Sequence, residues 1–326
     1  MKATAKSPTN IAFIKYWGKR DESLRIPEND SIAMNIDGLY TVTTVEFADK
    51  YKKDSFYLKN ELVDKKEAEK VFIHLDRIRK LAKIDYKAKV VSYNNFPKST
   101  GLSSSASGFA ALTLAAAKAA GLKLSERELS RLARVASGSA CRSIPNGFVE
   151  WRSGKDDKTS YAYSVFPAGH WLLYDVVVIV SEEKKEIGST EGQKLAKTSP
   201  FLEARLRGIR KKIILLKRYL KQKKFSEFGK LAEEEALNMH AVMITSSPPL
   251  LYWTANTLKL MKLIQKWRQE GLENYFTINT GQDVHILVLK NNLEKLKNNL
   301  AKLAFIKKII VNQPTVGARI VNKHLF

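Results

Sequence analysis

The chain has 326 residues, 44% of them hydrophobic, enough for one large core or two smaller ones, so a disordered or fibrous protein is excluded. Fifty-six Lys and Arg against 33 Asp and Glu give a formal charge of +23, which suits a polyanionic partner: nucleic acid, an anionic membrane surface or a multiply phosphorylated small molecule. One cysteine, Cys141, rules out an internal disulfide, and the start of the chain and its apolar runs suggest neither a signal peptide nor a membrane span, so a soluble, cytoplasmic protein is expected.

In chain order, residues 1–16 read as a strand leading into a segment with Lys15, Tyr16, Trp17, Gly18 and Lys19. Alternating runs at 40–47 and 55–58 read as strands, 65–81 as a helix and 90–93 as a strand. The strand feeds residues 97–108, PKSTGLSSSASG, which open onto an Ala-rich helix ending near Ala120 with Gly121 as its C′ residue. Small side chains let a ligand approach the backbone, and orphan N–H groups and the positive dipole end of the helix favour an anion. Gly101, Leu102, Ser103, Ser104, Ser105 and Ser107 therefore form a candidate phosphate cradle, although serines before a helix are also ordinary caps. The stretch fits neither GxxxxGK[ST] nor GxGxxG.

Ser125 and Glu128 form a capping box for a helix running to about Ala136. A serine-rich segment at 137–143 and a β-like run at 147–151 follow, then a charged turn and an apolar strand at 172–180. From 199 the pattern is helical, with helices near 226–242 and 252–269, a hairpin at 274–290 turning at Gly281, a helix at 292–303 and a strand at 306–312. The mixture indicates an α+β chain. Its domains are expected at 1–183 and 184–326, with the cradle in the first.

Four stretches resemble the mevalonate diphosphate decarboxylase family, within the superfamily of galactokinase, homoserine kinase, mevalonate kinase and phosphomevalonate kinase. They are residues 10–22 (NIAFIKYWGKRDE), 95–108, 137–143 (SGSACRS) with 147–151 (GFVEW), and 183–200 with its EKK, GST and TSP triplets. The resemblance runs from residue 7 to about 313. It implies a ribosomal protein S5 domain 2-like N-terminal domain, a ferredoxin-like C-terminal domain and a cleft between them. It also implies ATP and Mg2+ as cofactors, the metal held mostly by phosphates and water, and a homodimer. The reaction implied is ATP-dependent conversion of mevalonate 5-diphosphate to isopentenyl diphosphate, ADP, phosphate and CO2.

Carried over position by position, Lys15 bridges ATP phosphate and the reacting centre, and Tyr16, Trp17, Gly18 and Lys19 grip the substrate diphosphate. Arg142 meets the substrate carboxylate, where its planar fork suits a bidentate contact. Ser137, Gly138, Ser139, Ala140 and Cys141 complete that grip, and Cys141 reads as a packing residue rather than a nucleophile. Thr190 contacts the substrate phosphate, Asn10 lies with the nucleotide loop, and Lys70 stands where the family usually has arginine. The five histidines show no ligand spacing, so no dedicated protein metal site is expected.

The pattern breaks at residues 276–283, FTINTGQD, where Asn279 occupies the place of the family's aspartate. An amide can orient a hydroxyl but cannot take its proton. Three readings follow: the γ-phosphate takes the proton with Asn279 only orienting the hydroxyl, Asp283 folds back into the role, or the substrate differs in its phosphorylation state. Asp30 likewise replaces a usual serine, and Pro145 and Asn146 an aromatic–glycine pair. Two further readings therefore stay open: a kinase or decarboxylase of the same fold acting on mevalonate or its 5-phosphate, and a basic nucleic-acid-binding protein. Against the last, the basic residues spread over helix faces without aromatic interleaving, so no nucleic acid and no membrane partner is expected.

Overall fold

The first strand, Lys2–Ile14, has small or apolar residues facing both ways and is buried along nearly its whole length. It pairs antiparallel with the 17-residue strand Ser31–Phe47, with register shifts at Pro8/Thr9 and Ala12/Ile14. Sequence alternation reveals only the second half of that partner; Asp37 and Gly38 interrupt the pattern where the strand bends. Ala88–Asn94, Ser55–Leu58, Glu61–Leu62, Phe148–Trp151, Ala162–Phe166 and Arg319–Val321 complete an eight-stranded sheet. This computed structural model describes residues 1–96, 104–181, 183 and 186–326.

Three helices cover the sheet. Lys65–Ala82 starts at Asp64, whose carboxylate accepts from the Lys66 and Glu67 amides, and Glu126–Ala136 starts on the Ser125–Glu128 capping box. Between them Ser104–Ala119 buries Ala106, Ala110, Ala111, Ala115 and Ala116. Side chains this short let the helix axis lie close to the sheet, which fixes the position of its N-terminus.

The second half is a four-stranded antiparallel sheet in the order Tyr275–Thr277, Val284–Val288, Tyr174–Ile179, Lys308–Asn312. Numbered along this half the order is 2-3-1-4 in a β-α-β-β-α-β arrangement, the ferredoxin-like pattern that the resemblance implies. The strand Tyr174–Ile179, which the sequence reading assigns to the first domain, lies at the middle of this second sheet. Helices Leu202–Gln222, Phe225–Ile244, Ala255–Gln269 and Lys290–Ala301 pack around it.

The two halves share a core. Ile11, Phe13 and Ile14 of the first strand pack in one buried cluster with Leu216, Phe228, Val177 and Leu287 of the second half. The last strand also crosses back, pairing Thr4 with Val321. The C-terminal end of the first strand, and Lys15 with it, is thus held between the halves. Basic residues of Leu202–Gln222 lie mostly outward, and among the described residues three are paired: Arg205 with Glu235 at 2.8 Å, Lys212 with Glu234 at 2.9 Å and Lys217 with Glu150 at 2.8 Å. Among the described residues no helix is long and apolar enough to cross a membrane.

Candidate functional site

A cavity of about 460 Å3 opens where the halves meet. It is lined by Lys15, Tyr16 and Lys19 from the end of the first strand and by Ser104 and Ser105 at the helix start. Ser137, Gly138, Ser139 and Arg142, Lys70, Thr190 and Asn279 add to its wall. Residues more than 260 positions apart in sequence therefore face one space. Lys15 is 1% exposed, and its Nζ donates to Asn279 Oδ1 at 3.1 Å. Burial, then the Arg142 charge, drives the Lys15 pKa well below the usual amine value; Glu235 and Asp175 oppose the shift. The Asn279 carbonyl accepts from His240 Nε2 at 3.0 Å, so the backbone carrying the amide is pinned.

Arg142 is 5% exposed and donates through Nε to Asn10 Oδ1 at 3.1 Å and through Nη1 to Ser31 Oγ at 2.8 Å, with the Trp151 ring 6.0 Å away. These neutral acceptors aim the guanidinium without cancelling its charge. Gly138 lies against Tyr16: a Cβ there would sit 2.8 Å from Tyr16 Cε1, so only glycine allows this approach. Burial also raises the Tyr16 hydroxyl pKa and keeps it protonated. Lys19 is paired with Glu22, and Glu191, the acidic residue on the cavity wall, is paired with Lys194 at 2.8 Å. On the cavity wall the basic side chains Lys15, Lys19, Arg25, Lys70 and Arg142 stand against one acidic residue, Glu191.

Several expected site residues stand elsewhere. Asn10 is buried beneath the cavity, donating to Ser143 Oγ at 2.8 Å and to the Ser139 carbonyl at 3.2 Å, so it braces Arg142 and the serine segment. Ser107 turns inward to Thr41 Oγ1 at 2.7 Å. Trp17 is fully buried among Ala196, Leu202, Met239 and Leu250, and Gly18, at φ +90°, makes the turn that brings Lys19 back to the cavity. Ala140 and Cys141 are core residues, with burial pushing the Cys141 thiol up to about 12. Gly101, Leu102 and Ser103 lie outside the described residues. Asp30 accepts from the Ser153 amide and hydroxyl, each at 2.6 Å, and so anchors the following loop.

Asp283 is 4% exposed, outside the cavity lining, and accepts from the Val180 amide at 3.2 Å. Burial raises its pKa to about 7. A raised carboxyl pKa means the native state keeps a proton that the unfolded chain has lost, so stability falls as pH rises from about 4 to about 7 and then levels. Asp283→Asn should remove that slope. Its stability advantage over wild type in urea titrations should grow to the order of 3 kcal/mol by pH 7. A pH-independent difference would contradict the assignment.

Arg25, Glu191, Gln193, Met239 and Thr280, none of them a candidate from the sequence, also stand on the cavity wall. Ser189 and Thr280, both from the second half, are hydrogen-bonded to each other. Glu191 and Gln193 follow Thr190 in and after the short helix Ser189–Gly192, so their proximity was the one local signal available. A second, apolar cavity of about 200 Å3, lined by Phe56, Leu58, Val63, Phe109 and Leu112, shares Lys70, Ser104 and Ser105 with the first. Among the described residues no group of three His, Cys, Asp or Glu could hold a metal ion.

Comparison with known proteins identifies the family. The family described as "Diphosphomevalonate decarboxylase-like N-terminal domain" matches residues 7–162, and "Mevalonate 5-diphosphate decarboxylase C-terminal domain" matches 175–320. The diphosphomevalonate decarboxylase of Candida albicans is 35% identical over 319 residues, covering 92% of this chain and 88% of that protein. A solved structure of the mevalonate diphosphate decarboxylase from Enterococcus faecalis, described by its mevalonate diphosphate mediated ATP binding mechanism, aligns with a TM-score of 0.93 at 37% identity, covering 99% of both chains. A complex described as MDDEF with MVAPP, AMPPCP and magnesium also aligns at 0.93, with 38% identity and 99% of each chain covered. Two matched domains in order, a relative similar over nearly its full length, and a cleft formed where those domains meet lead to one conclusion: this chain belongs to the diphosphomevalonate decarboxylase family.

Proposed function

We propose that the chain converts mevalonate 5-diphosphate to isopentenyl diphosphate, ADP, phosphate and CO2, using ATP. The observation that carries this reading is the buried pair of basic side chains, Lys15 and Arg142, facing one cavity with Asn279 at 3.1 Å from Lys15. The 3-hydroxyl oxygen attacks the γ-phosphorus while the bond to ADP breaks. The new 3-phosphate then leaves with its electron pair, the bond to the carboxylate breaks, and its electrons form the alkene as CO2 departs. Lys15 offsets charge on the transferring phosphate, and Arg142 orients the carboxylate. Asn279 accepts from the 3-hydroxyl and orients it, and the hydroxyl proton passes to phosphate oxygen, since an amide takes none. Asp283 stays outside this chemistry because its carboxyl faces Val180.

The start of helix Ser104–Ala119 has no acidic residue in its first turn, and with Ser104 and Ser105 it suits ATP phosphates. The adjoining apolar cavity suits the nucleoside. Mg2+, when bound, neutralises phosphate charge; the serine hydroxyls are the chain's oxygen donors there, the remaining ligands coming from phosphates and water. Tyr16, Lys19, Lys70, Ser137, Gly138, Ser139 and Thr190 form the substrate side. We place the division between the two domains in the loop between Phe166 and Tyr174, because the strand beginning at Tyr174 pairs only within the second sheet. A cytoplasmic homodimer is the assembly we propose, on the resemblance and the buried free thiol of Cys141; sedimentation tests the dimer.

Purified protein is incubated with ATP, Mg2+ and, in turn, mevalonate, its 5-phosphate and its 5-diphosphate, and ADP and CO2 are measured. Stoichiometric ADP and CO2 from the 5-diphosphate alone is the expected result. ADP without CO2 would make the chain a kinase, and salt-sensitive RNA binding without turnover would overturn the enzyme reading. Asn279→Asp should change kcat by less than about tenfold, since phosphoryl transfer depends mainly on positioning and charge. Asn279→Leu, which removes the acceptor, should lose about 100-fold. A 100-fold gain in Asn279→Asp would show that the native site lacks a needed base.

A further inference from the structure

Arg25 is assigned no role by the resemblance. It closes the turn between strands Lys19–Asp21 and Ile26–Pro27 and holds φ at 52°, a left-handed conformation uncommon for a long side chain. From there the side chain enters the cavity wall. Its Nε donates to the Val135 carbonyl at 3.0 Å, and among the described residues no acceptor takes its two Nη groups. The bond to Val135 fixes the guanidinium plane two residues before Ser137, while the charge acts on the nearby Tyr16 hydroxyl.

The other cations on the wall are committed or differently shaped. Arg142 is braced by Asn10 and Ser31, Lys19 is paired with Glu22, and Lys15 faces Asn279. Lys70, where the family usually has arginine, is an exposed point charge on its helix. The fork missing at Lys70 is therefore present at Arg25, on the same wall as Tyr16, Lys19 and Ser137. A guanidinium binds two phosphate oxygens in a fixed plane, which an ammonium does not.

We infer that Arg25 binds the 5-diphosphate of the substrate, supplying the bidentate phosphate contact in this protein. The inference rests on the proposed function for the identity of the ligand, and on the cavity alone for the phosphate chemistry.

The test uses Arg25→Asn, which tolerates positive φ, and Arg25→Lys, which keeps charge without the fork. Calorimetric titration with inorganic pyrophosphate should show affinity about 10- to 100-fold weaker for Arg25→Asn, with Arg25→Lys intermediate and melting temperatures unchanged. In steady-state assays KM for mevalonate 5-diphosphate should rise by the same factor, with kcat and the KM for ATP within about threefold of wild type. Equal pyrophosphate affinity in wild type and Arg25→Asn would overturn the inference, as would a rise confined to the KM for ATP. The pyrophosphate measurement needs no turnover, so it decides the role of Arg25 even where the decarboxylation reading fails.

Discussion

Lys15→Met should lower kcat on mevalonate 5-diphosphate by about 100- to 1000-fold, the usual effect of removing one preorganised donor to a developing negative charge. The side chain is nearly inaccessible, its Nζ is held by a neutral amide oxygen, and the Arg142 charge lies close by. Glu235 accepts from the Lys15 backbone amide rather than from the ammonium. In the free enzyme the ammonium is therefore disfavoured. A polyphosphate in the cavity restores the missing negative charge and raises the pKa again.

Binding should then take up about one proton at pH values between the free and bound pKa, and affinity should fall as pH rises across that interval. Titrating the ATP analogue in buffers of different ionisation enthalpy measures the uptake, which should vanish in Lys15→Met. A variant with kcat within tenfold of wild type, or with unchanged proton uptake, would remove Lys15 from the mechanism.

Glu235→Gln should produce the largest stability loss, about 3–5 kcal/mol, because it leaves the Arg205 charge buried without its partner. Glu235 is fully buried and accepts from Arg205 Nη2 at 2.8 Å and from the Lys15 amide at 3.2 Å. Arg205 in turn donates to the Lys15 carbonyl at 2.9 Å and to Asn29 at 3.2 Å. Two helices of the second half thus hold both backbone polar groups of one residue from the first. The apparent melting temperature should drop by about 10 °C, with kcat reduced as Lys15 loses its fixed position.

Replacing the pair together, Glu235→Leu with Arg205→Met, separates these effects. Removing both charges should recover part of the melting temperature while leaving kcat low, since the Lys15 amide loses its acceptor and the Lys15 carbonyl keeps only Asn29 Nδ2 as a donor. Full recovery of kcat in the double variant would show that the pair only stabilises the fold. An unchanged melting temperature in Glu235→Gln would show that the pair carries little energy.

The chain's own residues determined what depends on neighbours in sequence. The helix start at Ser125 was legible because its cap bonds to an amide three residues on. The 2-3-1-4 sheet followed from resemblance, and Lys15, Arg142 and Asn279 from motifs whose residue types suit phosphate and carboxylate chemistry. The tertiary structure decided everything set by contacts across long separations. Asn10 braces Arg142, Asp283 turns to Val180, Arg25 enters the cavity through a left-handed turn, and Glu235 reaches back 220 residues to Lys15. None of these leaves a local periodicity or spacing. The direction of a side chain is fixed by whichever partner the packed core brings within hydrogen-bond reach, and here that core joins both halves of the chain.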